Sequence, residues 1–315
     1  MNDFIREIEA ADSIAILGHI RPDGDCVGST VGLYNYIVSN YKKRVQIYLE
    51  EFSKEFLMLK NADKIKHETD DETYELCIVC DCGDLDRTGD FVKYYENAKR
   101  TICVDHHISN TGFGDVCYVD VDACSAAEAI FKLIDADRIN TDTAECLYMG
   151  IVHDTGVFKH SNTTFNAMNT AGILIEKGAR PHVVIDETFY KKTFVQNKLL
   201  GLALTKAVLF ADGKIINSVL TSKDFESVGA TSLDTDGIVD QLRITEGVET
   251  AFFMYQTGTD TFKISLRANN IVDVSRIACS HGGGGHIKAA GFSMTGDPEV
   301  IVAAIVDEIS SQLDM

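Results

Sequence analysis

Positive charge is scarce in this sequence: 29 lysines and arginines stand against 48 aspartates and glutamates, a formal net charge of −19. A chain so acidic repels long polyanions unless metal ions or a local basic pocket offset the field. That argues against a general duplex DNA binder and leaves room for a short anionic substrate held locally. Long apolar runs are missing as well. None approaches the roughly 20 residues needed to span a bilayer. The opening MNDFIREIEAADS carries charges of both signs and no apolar core, unlike a signal peptide. Only three prolines occur, and no repeat or low-complexity segment. Cysteine is present but unpaired in number: nine residues, mostly in apolar strand-like or helical contexts such as Cys77, Cys80, Cys103 and Cys146. This suits a reducing cytoplasm better than a disulfide framework. Cys77, Cys80 and Cys82 suggest zinc only weakly, because no second pair of suitable spacing follows, so buried strand thiols are expected.

What is there reads as two domains, for which 315 residues suffice. SIAILGH (13–19), RVQIYLE (44–50), YELCIVCDC (74–82) and RTICVDHH (100–107) are expected strands. DCVGSTVGLYNYIVSN, SKEFLMLK and the segment around FVKYYENA are the expected helices between them. Strands apolar nearly throughout and separated by helices predict an α/β fold, a parallel sheet with helices on both faces. From 124 to about 210 the pattern is helical, ending in a run from Val183 into LLGLALTKAVLF. Strands return after Gly213 as KIINSVLTS, ETAFFMYQTG and TFKISLRAN, the last two joined as a hairpin. DPEVIVAAIVDEISSQL closes the chain as a helix opened by Asp297 and Pro298. The expected division is a catalytic domain over 1–185, a helical, semi-rigid linker over 186–212, and a smaller mixed-sheet α/β domain over 213–315.

Four clusters share one topological address. His19, Asp23 and Asp25 follow the first strand, Asp81 ends the third, and Asp105, His106 and His107 end the fourth. Asp154 closes a helical run in IVHDTG. Ligands of open parallel sheets bind beyond the carboxyl ends of the strands. Even two imidazoles and four carboxylates drawn from these clusters are more negative charge than a crevice holds unpaired. Divalent cations resolve this, and an oxygen-rich set with some imidazole suits Mn²⁺ or Mg²⁺. A lone Asp at a strand end is usually a helix N-cap, and Asp25 could be only that; it is the clustering that favours metal. Six ligands for two ions imply one bridging carboxylate, a water activated between the ions, and a phosphoryl displacement. His107, beside a ligand, is placed to meet charge developing on the phosphoryl oxygens.

HIRPDGDCVGS, DCGD around Asp81, VDHH at 104–107, HDTG at 153–156, and SLRA with HGGGGHIKAAG span most of the chain and together resemble the DHH phosphoesterases, close to the nanoRNase and 3′-phosphoadenosine-5′-phosphate (pAp) phosphatase group. The resemblance implies that His19 and Asp23 hold one Mn²⁺, that Asp81 bridges, and that Asp25, His106 and Asp154 complete the second. It implies that His107 contacts the scissile phosphate and that Asp105 orients the neighbouring histidines. It also marks the C-terminal domain as DHH-associated. Cys26 and Ala268 depart from the usual residues beside Asp25 and Arg267.

HGGGGHIKAAG, 281–291, needs a reason for its four successive glycines. Bare backbone at Gly283, Gly284 and Gly285 can offer N–H groups to an anion, with a helix start expected behind them and His281, His286 and Lys288 reinforcing the site. The bland alternative is a flexible surface turn. Arg267 could grip a second phosphate or a base, or be a surface ion pair. These features place substrate in an interdomain cleft and favour short oligonucleotides or mononucleotide bisphosphates. The expected protein is a cytoplasmic Mn²⁺-dependent hydrolase of very short RNA, with pAp as the second candidate substrate, whose partners are that substrate and at most a second copy of the chain; duplex DNA and membrane are not expected. Cyclic or linear dinucleotide hydrolysis, inorganic pyrophosphatase activity and a non-catalytic sensor are the competing readings.

Overall fold

The computed structural model describes residues 3–313, and the chain divides into two compact units, up to Lys191 and from Lys192 on. In the first, α1 (Asp3–Ala10) leads into β1 (Ser13–Leu17), α2 (Gly24–Asn40), β2 (Arg44–Tyr48) and β3 (Leu76–Cys80). Then come α3 (Val92–Glu96), β4 (Arg100–Asp105), β5 (Val116–Val119), α4 (Ala126–Leu133), α5 (Thr141–Asp154), α6 (Phe165–Glu176) and α7 (Pro181–Ile185). The strands form one parallel sheet in the order β2-β1-β3-β4-β5. β1 and β3 are buried along their whole length, as a sheet covered on both faces requires. Ile14, Ile16, Ile78 and Cys80 enter a core shared with α2, α4 and α5. Ala15, Leu17, Cys77 and Val79 face a smaller core of Tyr48, Tyr74, Phe91 and Tyr94. Cys77 and Cys80 therefore lie on opposite faces, and both are buried free thiols.

SKEFLMLK, expected as a helix, forms only a 3₁₀ turn at Lys54–Met58. α2 and α5 run antiparallel with their backbones touching. A Cβ added at Gly28 would lie 2.6 Å from the Cys146 carbonyl oxygen and 2.8 Å from the Gly150 nitrogen. Gly24 and Gly32, one turn to either side, likewise leave no room for a side chain against His153 and Leu147. This contact brings the C-terminal end of α5 to the N-terminal end of α2.

A π-helical turn at Asp186–Tyr190 ends the first unit. The second contains α8 (Phe194–Thr205), β6 (Val208–Phe210), β7 (Ile215–Leu220), α9 (Ser222–Val228), α10 (Ile238–Arg243), β8 (Thr250–Gln256) and β9 (Thr261–Ala268). It ends with α11 (Val274–Ser280), β10 (Gly284–His286), β11 (Ala289–Thr295) and α12 (Pro298–Leu313). The sheet order is β10-β11-β9-β8-β7-β6, mixed because β7 and β8 are parallel and the other pairs antiparallel. α11 and α12 pack with Phe252, Leu266 and Phe292 on one face. Residues of α8, α9 and α10 pack with Ala251 and Phe253 on the other. The helical expectation for LLGLALTKAVLF fails at its end: the helix stops at Thr205, and Val208–Phe210 pair with β7 as an edge strand. Among the described residues no helix is long and apolar enough to cross a membrane.

Candidate active site

The strand order reverses between β1 and β3, and the open end of a parallel sheet at such a point is where ligands bind. His19 follows β1, Asp81 follows β3, and they meet there: His19 Nε2 lies 3.5 Å from Asp81 Oδ2 and 3.6 Å from Asp23 Oδ1. His106 Nε2, at the end of β4, lies 3.6 Å from Asp81 Oδ1, 3.4 Å from Asp154 Oδ2 and 4.0 Å from Asp25 Oδ2. The two oxygens of Asp81 thus face different imidazoles. Donor atoms of Asp25, His106 and Asp154 all lie within 4.8 Å of one another, as do those of His19, Asp81 and Cys26. Asp81 sits at φ 58°, a left-handed backbone that costs a non-glycine residue roughly 1–3 kcal/mol and is usually found where function requires it.

The supporting contacts fix each donor. His19 Nδ1 is 2.9 Å from the Ile20 carbonyl, which only accepts, so Nδ1 carries hydrogen and Nε2 is the nitrogen turned to the carboxylates. Asp23, not Asp25, caps α2, accepting from the Asp25 and Cys26 amides at 3.1 Å. Asp25 is instead fully buried inside α2 and accepts from the first-turn amides of α4, Ala126 at 2.6 Å and Ala127 at 3.1 Å. Asp105 has a donor atom within 4.8 Å of those of Asp81, His106 and His107. Its Oδ1 accepts from His107 Nδ1 at 2.8 Å and its Oδ2 from Asn110 Nδ2 at 2.8 Å. Asn162, in the segment after Asp154, donates to the Asp154 and Cys124 carbonyls at 3.1 Å. Between them Gly156, Val157 and Phe158 are all left-handed, at φ 56°, 59° and 60°. Asn110 and Asn162 had no signal in the sequence, because a loop asparagine beside a motif looks like any turn residue.

The electrostatics follow from the crowding of carboxylates around two imidazoles. Burial opposes a charged His19, yet its contacts with Asp23 and Asp81 drive its pKa far above the ordinary value. Burial likewise opposes a charged His106, but Asp81, Asp25 and Asp154 raise it to about 10. Burial, then Asp81 and Asp154, push Asp25 well upward, and burial raises Asp154 to about 6 despite His106. Burial also works against Asp81, but the two histidines hold it well below the usual carboxylate range. The donor set, carboxylates around two largely buried imidazoles, fits divalent metal.

In the second unit Arg267 lies on β9, with Nε 3.3 Å from Asp240 Oδ1. The glycine loop is not followed by a helix start: Gly284, Gly285 and His286 form β10 and pair with Gly291, Ala290 and Ala289 of β11. Bulk at Gly283 or Gly285 would collide with β11 backbone at 2.3 and 2.4 Å, so these glycines serve close strand pairing. His281 Nε2 contacts Glu308 Oε1 at 2.7 Å, and its ring stacks on Phe292. His286 is exposed.

Residues 13–151 match the DHH family, N-terminal domain, and residues 212–314 match the DHHA1 domain. The chain belongs to the DHH family of phosphoesterases. It is 30% identical over 300 residues, 93% of this chain and 92% of the other, to the bifunctional oligoribonuclease and PAP phosphatase NrnA of Bacillus subtilis. The protein of that name from Thermus thermophilus is 27% identical over 291 residues, 90% of this chain and 84% of its own. The crystal structure of an exopolyphosphatase-related protein from Bacteroides fragilis has the same fold, with a TM-score of 0.85 at 23% identity over 98% of this chain and 94% of that one.

Proposed function

We propose that this phosphoesterase hydrolyses very short RNA oligonucleotides and pAp in the cytoplasm, with two divalent cations, Mn²⁺ foremost and Mg²⁺ as the substitute. The observation that carries the reading is Asp81, whose two oxygens point at His19 on one side and His106 on the other. His19, Asp23 and Asp81 would hold one ion, and Asp81, Asp25, His106 and Asp154 the other. Such a pair supplies Lewis acidity and a water nucleophile at neutral pH. The chain's own residues do the rest. Asp105 anchors His107 through Nδ1 and raises its pKa, which favours the charged ring and leaves Nε2–H to donate to a phosphoryl oxygen as charge builds there. Asn110 holds the second oxygen of Asp105, so the imidazole direction is fixed before substrate arrives. The named activities of the Bacillus and Thermus relatives point to the same substrates.

The test is incubation with Mn²⁺ and a labelled RNA dinucleotide, pAp, a longer RNA and a cyclic dinucleotide in parallel. Mononucleotide from the dinucleotide and phosphate from pAp are expected. No turnover of either would refute the proposal, and preferential cleavage of the cyclic dinucleotide would replace it.

A further inference from the structure

Of the nine cysteines, all free thiols, two are exposed: Cys117 and Cys279. Cys117 lies on the edge strand β5, where it is the register partner of Cys103 on β4. Register partners in adjacent strands point to the same face and stand roughly 4.8 Å apart. That is inside the window of about 4.4–6.8 Å that a disulfide needs between Cα atoms. Cys103 is fully buried. Burial raises its pKa, opposed by Asn110 and reinforced by the neighbouring Cys117 thiol. Cys279, in the second unit, is the one cysteine after Cys146 and has no such partner in its unit.

The turn that rests on these two sulfurs is the turn that fixes His107. Asn110 Nδ2 lies 3.4 Å from Cys103 Sγ, and donates to the Cys82 carbonyl at 3.0 Å and to Asp105 Oδ2 at 2.8 Å. Asn110 Oδ1 accepts from the Gly112 amide at 2.8 Å, and a Cβ added at Gly112 would stand 3.8 Å from Cys117 Sγ. One turn therefore adjoins both thiols, through Asn110 on one and Gly112 on the other. The other oxygen of Asp105 holds His107 Nδ1. Bonding the sulfurs to each other, about 2 Å apart, shifts both of them beneath this turn and disturbs the residue that holds Asp105.

We propose that Cys103 and Cys117 form a reversible oxidation site, a dithiol that a hydroperoxide converts to a disulfide, and that the disulfide slows hydrolysis through Asn110. The exposed Cys117 sulfur attacks the O–O bond of hydrogen peroxide first; a sulfenic acid forms and one water leaves. The Cys103 sulfur then attacks the sulfenic sulfur, the S–S bond forms, and the sulfenic oxygen departs as the second water. Two thiols lose two electrons and two protons, and the peroxide is reduced to two waters. An exposed disulfide is of the labile, reducible kind, so a thiol reductant reverses the change. Cys103 and Cys117 touch no reacting atom. The loss of turnover rests on the phosphoesterase reading above, whereas disulfide formation does not.

The experiment treats the full Mn²⁺-loaded chain with hydrogen peroxide, removes the excess with catalase, and blocks the remaining thiols with N-ethylmaleimide. Peptide mass mapping without reductant locates the disulfide, and turnover of a labelled RNA dinucleotide is read in parallel. Wild type should show a Cys103–Cys117 disulfide and a kcat lower by roughly tenfold, the scale for loosening a group that orients an active-site histidine. Dithiothreitol should reverse both. Cys117→Ser should match wild-type turnover before oxidation and keep it under peroxide, while Cys279→Ser should respond as wild type does. Asn110→Ala, already slow, should lose less than about twofold more on oxidation, because the coupling residue is gone. The proposal is overturned if wild type forms no Cys103–Cys117 disulfide, if the disulfide leaves turnover unchanged, or if Cys117→Ser is inactivated as wild type is. A further tenfold loss in Asn110→Ala would overturn the route through Asn110. A chain inactive before oxidant is added would fault the functional reading instead, and the disulfide map would still decide the oxidation site.

Discussion

Gly28→Ala puts a methyl group between two backbones. Its Cβ would stand 2.6 Å from the Cys146 carbonyl oxygen, and restoring a 3.4 Å contact requires α2 and α5 to part by roughly 0.8 Å. Neither neighbour is a side chain that can rotate away. Overpacking of this kind costs about 1–3 kcal/mol, and the rigid surroundings place it in the upper half. Against it stands the helix propensity gained when alanine replaces glycine, about 1 kcal/mol. The net is a loss of about 1–2 kcal/mol, or a fall in Tm of roughly 2–8 °C for a unit of this size. Gly172→Ala is the control: it sits in α6 with nothing within 4 Å of the added carbon, so it should gain up to about 1 kcal/mol. Urea unfolding of both variants measures the difference. If Gly28→Ala proves as stable as Gly172→Ala, the close helix contact, and with it the route by which α5 delivers Asp154, is wrong.

Asp81→Asn should leave thermal unfolding nearly unchanged, since asparagine tolerates the left-handed backbone, and cut turnover by more than about 100-fold; a variant with most of its activity would contradict the bridging role. Asn110→Ala should lower turnover by about 10–100-fold by freeing Asp105 and so His107, read in steady-state kinetics with the fold checked by circular dichroism. Chelation should abolish activity and lower Tm, and Mn²⁺ should restore both, because a ligand that binds only the folded chain stabilises it. Asp70 accepts from Tyr48, Tyr94 and Lys66; burial opposes its charge, but Lys66 and these partners hold its pKa below the ordinary 3.8. Its stabilisation is therefore complete above the unfolded value and disappears as pH falls from about 4 toward the folded one. Asp70→Asn should cost about 1–2 kcal/mol at pH 7 and flatten the acid limb of the stability curve, and an unchanged acid limb would count against it.

The first sheet was legible because β1 and β3 are buried on both faces, and a fully buried strand must be apolar throughout. β5 was not. VCYV is short and only partly buried at the sheet edge, so its pattern carries little. Val208 and Leu209 misled for the opposite reason: they are apolar and exposed on an edge strand, and they continue a helical run without a break. At the site, residue type and position nominated four clusters, three after strands and Asp154 closing a helix, and the family resemblance chose six donors among them. They could not say that Asp23 caps its own helix while Asp25 reaches across to α4. That depends on which helix starts where in space. The glycine loop shows the same limit, for glycines that approach a ligand and glycines that approach a neighbouring strand are written alike.

Asp25 is tied by the Ala126 and Ala127 amides, His19 by the Ile20 carbonyl, and Asp105 by Asn110, all through bonds within the protein. Each of these side chains is thus aimed by a bond the chain makes to itself, so a change at Asn110 or at the start of α4 would misdirect one of them without touching it.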